Sequence, residues 1–112
     1  MEVQAELSIP LAIALPMGKI ITFCQRWQIS ELSVFGSILG DNFRIDSDID
    51  FLYVLKPNIT WSFSKLIQAE EELAQLLGRE VDLVSKVSIE QSHNWLRKKN
   101  ILSSAKAIYG DQ

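Results

Sequence analysis

One cysteine and one histidine occur in the 112 residues of this chain. Cys24 has no second cysteine to pair with, so an internal disulfide is excluded and a reducing, cytosolic setting is expected. His93 has no second histidine and no nearby cysteine, which removes the usual donor set for zinc; a surface or partner-facing role is expected for it. Positive charge is also scarce. Eleven lysines and arginines stand against 14 aspartates and glutamates, a formal net charge of −3, and they form no long run. Direct nucleic-acid binding, which normally leaves a basic patch, is therefore not expected. No basic segment precedes an apolar stretch at the start, and no apolar run approaches a membrane span, so no membrane association is expected. Internal repeats and low-complexity segments are absent too. The length points to a single domain over 1–112, able to bury a core without disulfide staples, with Met1 to Ser8 as a loose arm.

What is present is an alternation of helical and strand patterns. Pro16 to Trp27 reads as a helix with Pro16 near its start, its apolar face made by Ile20, Ile21, Phe23, Cys24 and Trp27. Cys24 then belongs to the core. Ile29 to Glu31 reads as a connector and Leu32 to Phe35 as a short strand. Ser37 to Asp41 fits one or two helical turns, and Asn42 to Asp46 is polar. Asp48 to Leu55 is the strongest strand pattern, nearly continuously apolar after Asp50, as in a central strand. Lys56-Pro57-Asn58 ends it with turn chemistry. Ser62 or Ser64 can cap a helix through Leu77, with Gly78 just past its end. Arg79 to Val84 alternates as a third strand. A last helical region, capped by Ser88 and broken near Asn100, is expected to end around Tyr109. Trp61, Phe63 and Trp95 suit either core or interface, and Arg97, Lys98 and Lys99 read as a solvated helix face. The layout is α/β, or α+β: a mixed sheet of three to four strands packed with helices.

The stretch from Phe35 to Leu55 carries the chemistry. Asp48 and Asp50 sit two apart at the start of a strand, so both carboxylates project to one face while Ile49 and Phe51 project to the other. Taken alone, such a pair is also a common solvated strand start. Upstream, Gly36 permits close approach to a phosphate and the Ser37 hydroxyl can bond to it. Ser37 is equally suited to capping the short helix that follows, whose N-terminus favours an anion. Carboxylates of this kind suit Mg²⁺, which takes one or two of them together with substrate phosphates. Asp82 is the third candidate. If its strand pairs beside Asp48 to Leu55, it faces the same cleft, and three carboxylates can hold two divalent ions. A carboxylate beside an attacking hydroxyl can also take its proton.

Gly36-Ser37, ten residues, then Asp48-Ile49-Asp50 resembles the Gly-Ser-x10-Asp-x-Asp motif of the DNA-polymerase-beta-like nucleotidyltransferases. The length, the Ser47 to Asp50 wording, the strand Val81-Asp82-Leu83-Val84 and the ending Ile101-Leu102 to Ile108-Tyr109 are similar to its minimal (MNT) branch. The resemblance spans roughly Phe23 to Tyr109. It implies a palm-like fold, with Asp48, Asp50 and Asp82 as catalytic and metal-ligating carboxylates, two Mg²⁺ ions, ATP as substrate, and Gly36 and Ser37 on the triphosphate. It also implies an antitoxin that transfers AMP to a tyrosine of a HEPN ribonuclease toxin. Many members carry Arg-x-Arg-Gly after Gly-Ser; here Ile38, Leu39, Gly40 and Asp41 stand there, and Arg44 is the candidate replacement charge for nucleotide binding. Two other roles fit the residues: a non-catalytic antitoxin that acts by occlusion, motivated by that missing basic pattern, and the nucleotide-binding half of a two-chain transferase acting on a small molecule. The oligomeric state, homo- or hetero-oligomer, is left open.

Overall fold

The computed structural model describes residues 11–110; the arm expected over Met1 to Ser8 lies outside the described residues. Helix α1 (Met17–Arg26) leads into β1 (Ile29–Phe35), a 3-10 turn (Gly36–Leu39) and β2 (Ile49–Leu55). Helix α2 (Phe63–Leu77), β3 (Val81–Ser85), α3 (Lys86–Glu90), α4 (Trp95–Ser104) and β4 (Lys106–Gly110) follow. The sheet order is β3-β2-β1-β4. Strand β1 is antiparallel to both β2 and β4, whereas β2 and β3 are parallel. A parallel pair needs a crossover rather than a hairpin, and α2 is that crossover.

The α/β reading of the sequence holds, and the register explains why β2 reads as a continuous apolar run. One face of the sheet carries Leu32, Val34, Ile49, Phe51 and Leu83, packed with Ile20, Phe23 and Cys24 of α1 and with Ala69 and Leu73 of α2. The opposite face carries Leu52, which packs with Ile89 of α3 and Ile101 of α4. Phe51 and Leu52, adjacent in sequence and opposite in direction, are therefore both buried. Truncating Phe51 to Ala would cost about 3–5 kcal/mol.

Local chemistry sets the helix ends. Ser62 caps α2, its hydroxyl accepting the Lys65 N–H at 3.1 Å. Gly78 ends that helix in the left-handed region, φ +71°, where its N–H donates to the Ala74 carbonyl at 2.8 Å. Glu70 is not simply solvated: its carboxylate accepts the Leu83 N–H at 2.9 Å, tying the crossover helix to the edge strand.

Four expectations are corrected. Ile29 to Glu31 is strand, because Ile29 pairs with Leu55 and the Ser30 hydroxyl reaches the Val54 carbonyl. The last helical region is two helices, capped by Ser85 and Asn94 and broken over residues 91–94 rather than near Asn100, which lies inside α4; Ser88 is the donor at the first cap, not the cap itself. It also stops at Ser104, well short of Tyr109. The Ser104 hydroxyl bonds back to the Asn100 carbonyl at 2.7 Å, a competitor to helix propagation, and residues 106–110 pair with the outer edge of β1 instead. Finally, Ser37 does not cap the 3-10 turn, whose flanking residue is Phe35 and which has no side-chain cap bond. The ambiguous aromatics separate: Trp61 stacks on Tyr53 at 4.9 Å and meets Trp27 edge-on at 5.8 Å, while Phe63 and Trp95 are exposed.

Candidate active site

Strand β2 begins at Ile49, so Asp48 stands at its threshold and Asp50 one pleat further along. The parallel ladder sets Asp50 directly against Asp82 of β3, and the antiparallel ladder sets Phe35 against Asp50. Residues paired in register share a face. Asp50, Asp82 and Phe35 therefore sit on the α3/α4 side of the sheet, at the end those helices leave open. Beyond them on the same face, Leu52 and Val84 give the carboxylates an apolar floor.

Asp50 is half-buried, with Asp48 and Asp82 exposed on either side. Burial raises the Asp50 carboxyl above the ordinary carboxylate range, and the charges of Asp82 and then Asp48 push it further the same way. The charges of Asp82 and Asp48 thus both act on Asp50, like charges whose crowding a cation would relieve. Among the described residues they do not close into a ready-made three-ligand cage. Two carboxylates on a strand with open positions nonetheless fit Mg²⁺, which keeps part of its shell for water and substrate phosphate.

Gly36 is required here twice over. Its φ is +83°, a region that side chains rarely adopt, and a Cβ at that position would collide with Oδ2 of Asp50. The backbone of the Gly36 turn thus lies directly against the central carboxylate. Ser37 follows in the turn, half-buried.

The loop delivering Asp48 is held by a residue that the sequence reading treated only as a strand start. One guanidinium nitrogen of Arg79 donates to the Ser47 carbonyl at 2.8 Å and to the Arg44 carbonyl at 3.2 Å. Its guanidinium also lies over the Phe43 ring, 4.6 Å from the centroid. Within the loop, the Arg44 N–H donates to the Ser47 hydroxyl at 2.8 Å. Arg44 itself is exposed, and its hydrogen bonds among the described residues run through its main chain. A helix-ending glycine followed by an arginine, as at Gly78-Arg79, is too common a pattern to have signalled such a clamp.

A cleft of about 470 Å³ opens beside Asp50 and Asp82, walled across by Asn94, Arg97 and Asn100 of α4. Arg44 does not line it. Arg97 does, although its neighbourhood in sequence reads as a solvated basic run. No helix among the described residues is long and apolar enough to cross a membrane.

Residues 18–108 match the nucleotidyltransferase domain family. A Methanocaldococcus jannaschii protein, provisionally named a protein adenylyltransferase, is 38% identical over 77 residues, which span 69% of this chain and 74% of the relative. Among solved structures, a chain of a toxin–antitoxin complex with AMP-PNP superposes with a TM-score of 0.68 at 23% identity, covering 88% of this chain and 76% of that one. A chain of the complex of a tri-AMPylated Shewanella oneidensis HEPN toxin with its MNT antitoxin superposes at 0.60 and 22% identity, covering 86% and 71%. The fold is thus that of the minimal nucleotidyltransferases, and with both the family match and the curated relative spanning most of its length, the chain belongs to the nucleotidyltransferase domain family.

Proposed function

We propose that this protein is a Mg²⁺-dependent adenylyltransferase antitoxin that moves AMP from ATP onto a tyrosine of a HEPN toxin and so neutralises it. The observation that carries the reading is the register of Asp50 with Asp82 on parallel strands, with Asp48 acting on the same carboxylate and Gly36 packed against it. The names of the relatives, a protein adenylyltransferase and an antitoxin bound to an AMPylated HEPN toxin, supply the nucleotide and the partner class.

Asp48 and Asp50, with Asp82, would hold the metal. When bound, Mg²⁺ neutralises the triphosphate charge and lowers the pKa of an oxygen it contacts. The chain's own residues do the rest. The Gly36 turn brings main chain close to the phosphates, and the Ser37 hydroxyl donates to them. Asp82, at the exposed end of the carboxylate row, accepts the proton of the acceptor hydroxyl. That oxygen bonds to the α-phosphorus, the bond to the bridging oxygen breaks, and pyrophosphate leaves with the electron pair. Catalysis of this kind is mostly positioning and charge neutralisation, which rigid strands serve well.

The test combines the purified protein, ATP, Mg²⁺ and its HEPN partner, with both chains weighed by mass spectrometry. AMP-sized additions on the partner are expected, and none with the Asp48→Asn/Asp50→Asn double variant, which should still fold. Retained transfer in that variant sinks the reading. A tight complex with no mass change moves the function to occlusion, the role that the non-basic run Ile38 to Asp41 favours.

A further inference from the structure

The wall of the cleft facing the carboxylates is one side of α4. Asn94, Arg97 and Asn100 follow at intervals of three, and Ile101 lies four beyond Arg97, the spacing of neighbours on one side of a helix. The cleft volume of about 470 Å³ falls in the range of roughly 300–1,000 Å³ typical of small-molecule sites. Arg97 shares this cleft with Asp50 and Asp82, yet its guanidinium makes no ion pair or side-chain hydrogen bond among the described residues. A guanidinium that faces carboxylates without closing on them leaves a gap between opposite charges. Its neighbours are donors as well. The Asn94 side-chain oxygen accepts the Arg97 N–H at 3.1 Å, and its amide N–H groups have no partner among the described residues. The Asn100 amide has no partner among the described residues.

Other cations are elsewhere. Ile38, Leu39, Gly40 and Asp41 bring none to the turn after Ser37. Arg79 is engaged with loop carbonyls, and Arg44 lies off the cleft. Among the described residues, Arg97 is thus the cation that lines it.

We propose that Arg97 is the phosphate-binding cation of this site, contacting the triphosphate of a nucleoside triphosphate seated between α4 and the carboxylates, with the Asn94 and Asn100 amides donating beside it. The proposal rests on the nucleotidyl-transfer reading and deepens it. The planar guanidinium fork matches two phosphate oxygens at once, at charge-assisted strength. Metal-bearing carboxylates on one wall and a guanidinium on the other flank a polyanion from both sides. A neutral acceptor hydroxyl offers no comparable charge for Arg97 to meet.

The experiment is titration calorimetry of AMP-PNP with Mg²⁺, without any acceptor protein, on the wild type and on Arg97→Ala, Arg97→Lys and Lys99→Ala. Lys99 is exposed on the same helix and removes the same charge. Arg97→Ala should weaken binding about 10- to 100-fold, the range expected for losing hydrogen bonds to a charged group. Arg97→Lys should recover part of it, and Lys99→Ala should stay within about twofold of wild type. Melting temperatures should match throughout, since Arg97 is exposed and unbonded. If wild type fails to bind AMP-PNP, the transfer reading itself falls. If wild type binds and Arg97→Ala binds equally well, the transfer reading stands and the role of Arg97 is refuted. Equal losses in Arg97→Ala and Lys99→Ala would reduce the effect to a general field and overturn the proposal. Unchanged nucleotide affinity with a raised KM for the protein acceptor would overturn it too, placing Arg97 on the acceptor side.

Discussion

Replacing Gly36 by alanine separates backbone strain from catalytic displacement, because the fold contains its own control. Gly36 and Gly78 both have positive φ, +83° and +71°. An alanine in the left-handed region costs about 1–2 kcal/mol, which for a domain near this size lowers Tm by roughly 5–10 °C. Both substitutions incur that backbone cost. A Cβ at position 78 meets nothing within 4 Å, whereas a Cβ at position 36 meets Oδ2 of Asp50. The carboxylate is the flexible end of its side chain, so it can rotate away at little cost in stability. Rotation, however, takes the central carboxylate out of register with Asp82, and a displacement near 1 Å in a reacting constellation costs on the order of 100-fold in rate. Gly36→Ala and Gly78→Ala should therefore lose similar stability in thermal melts. In time courses of AMP addition to the partner, run well below both melting temperatures, only Gly36→Ala should slow by about 100-fold. Transfer by Gly36→Ala within a few-fold of Gly78→Ala would refute the contact between turn and carboxylate. A much larger loss of Tm in Gly36→Ala would show that the turn, not the carboxylate, yields.

Three further outcomes follow from the same geometry. Asp50 has a carboxyl raised by burial, by Asp82 and by Asp48, so its contribution to stability is complete below the unfolded value of 3.8 and is lost as pH rises through the higher folded value. Asp50→Asn should melt higher than wild type at pH 7 without divalent cations, with the advantage shrinking as pH falls toward 4; an advantage independent of pH would contradict this origin. Arg79→Ala removes two bonds to the loop carrying Asp48 and should lower kcat roughly tenfold, with a smaller effect on KM for ATP, while Arg79→Lys recovers part of it; unaltered kinetics would show that the loop needs no clamp. Cys24 is fully buried, and burial pushes its thiol up to about 12. Iodoacetamide at pH 8 should label it only at the rate of unfolding, followed by mass spectrometry with and without denaturant, and fast labelling of the folded protein would place it outside the core.

Much of the site was legible because it is local. The spacing of Asp48 and Asp50 has one meaning on a strand, since side chains alternate with period two. The run Phe51 to Leu55 announces that strand by its composition. Gly36-Ser37 lies on the adjoining segment, where close backbone approach was expected of the glycine and its positive φ lays the main chain against Asp50. Ser62 and Gly78 mark the ends of α2 through capping chemistry that acts over three or four residues. Failures occurred where partners distant in the chain decide. Residues 106–110 carry no strong strand pattern and became β4 because the outer edge of β1 was open to pair with them. Arg97 was grouped with Lys98 and Lys99 by composition, but only the packing of Ile101 against Leu52 turns its side of α4 toward the carboxylates.

By itself, then, the sequence determined the α/β alternation, the carboxylate pair on one strand face and the glycine turn beside it, because each depends on the geometry of a few consecutive residues. Tertiary structure alone decided that Asp82 meets Asp50 rather than another register position, that Arg79 clamps the loop before Asp48, and that Arg97 lines the cleft. Those relations join segments tens of residues apart, and they exist only once strand pairing and the two-sided burial of β2 have set the register.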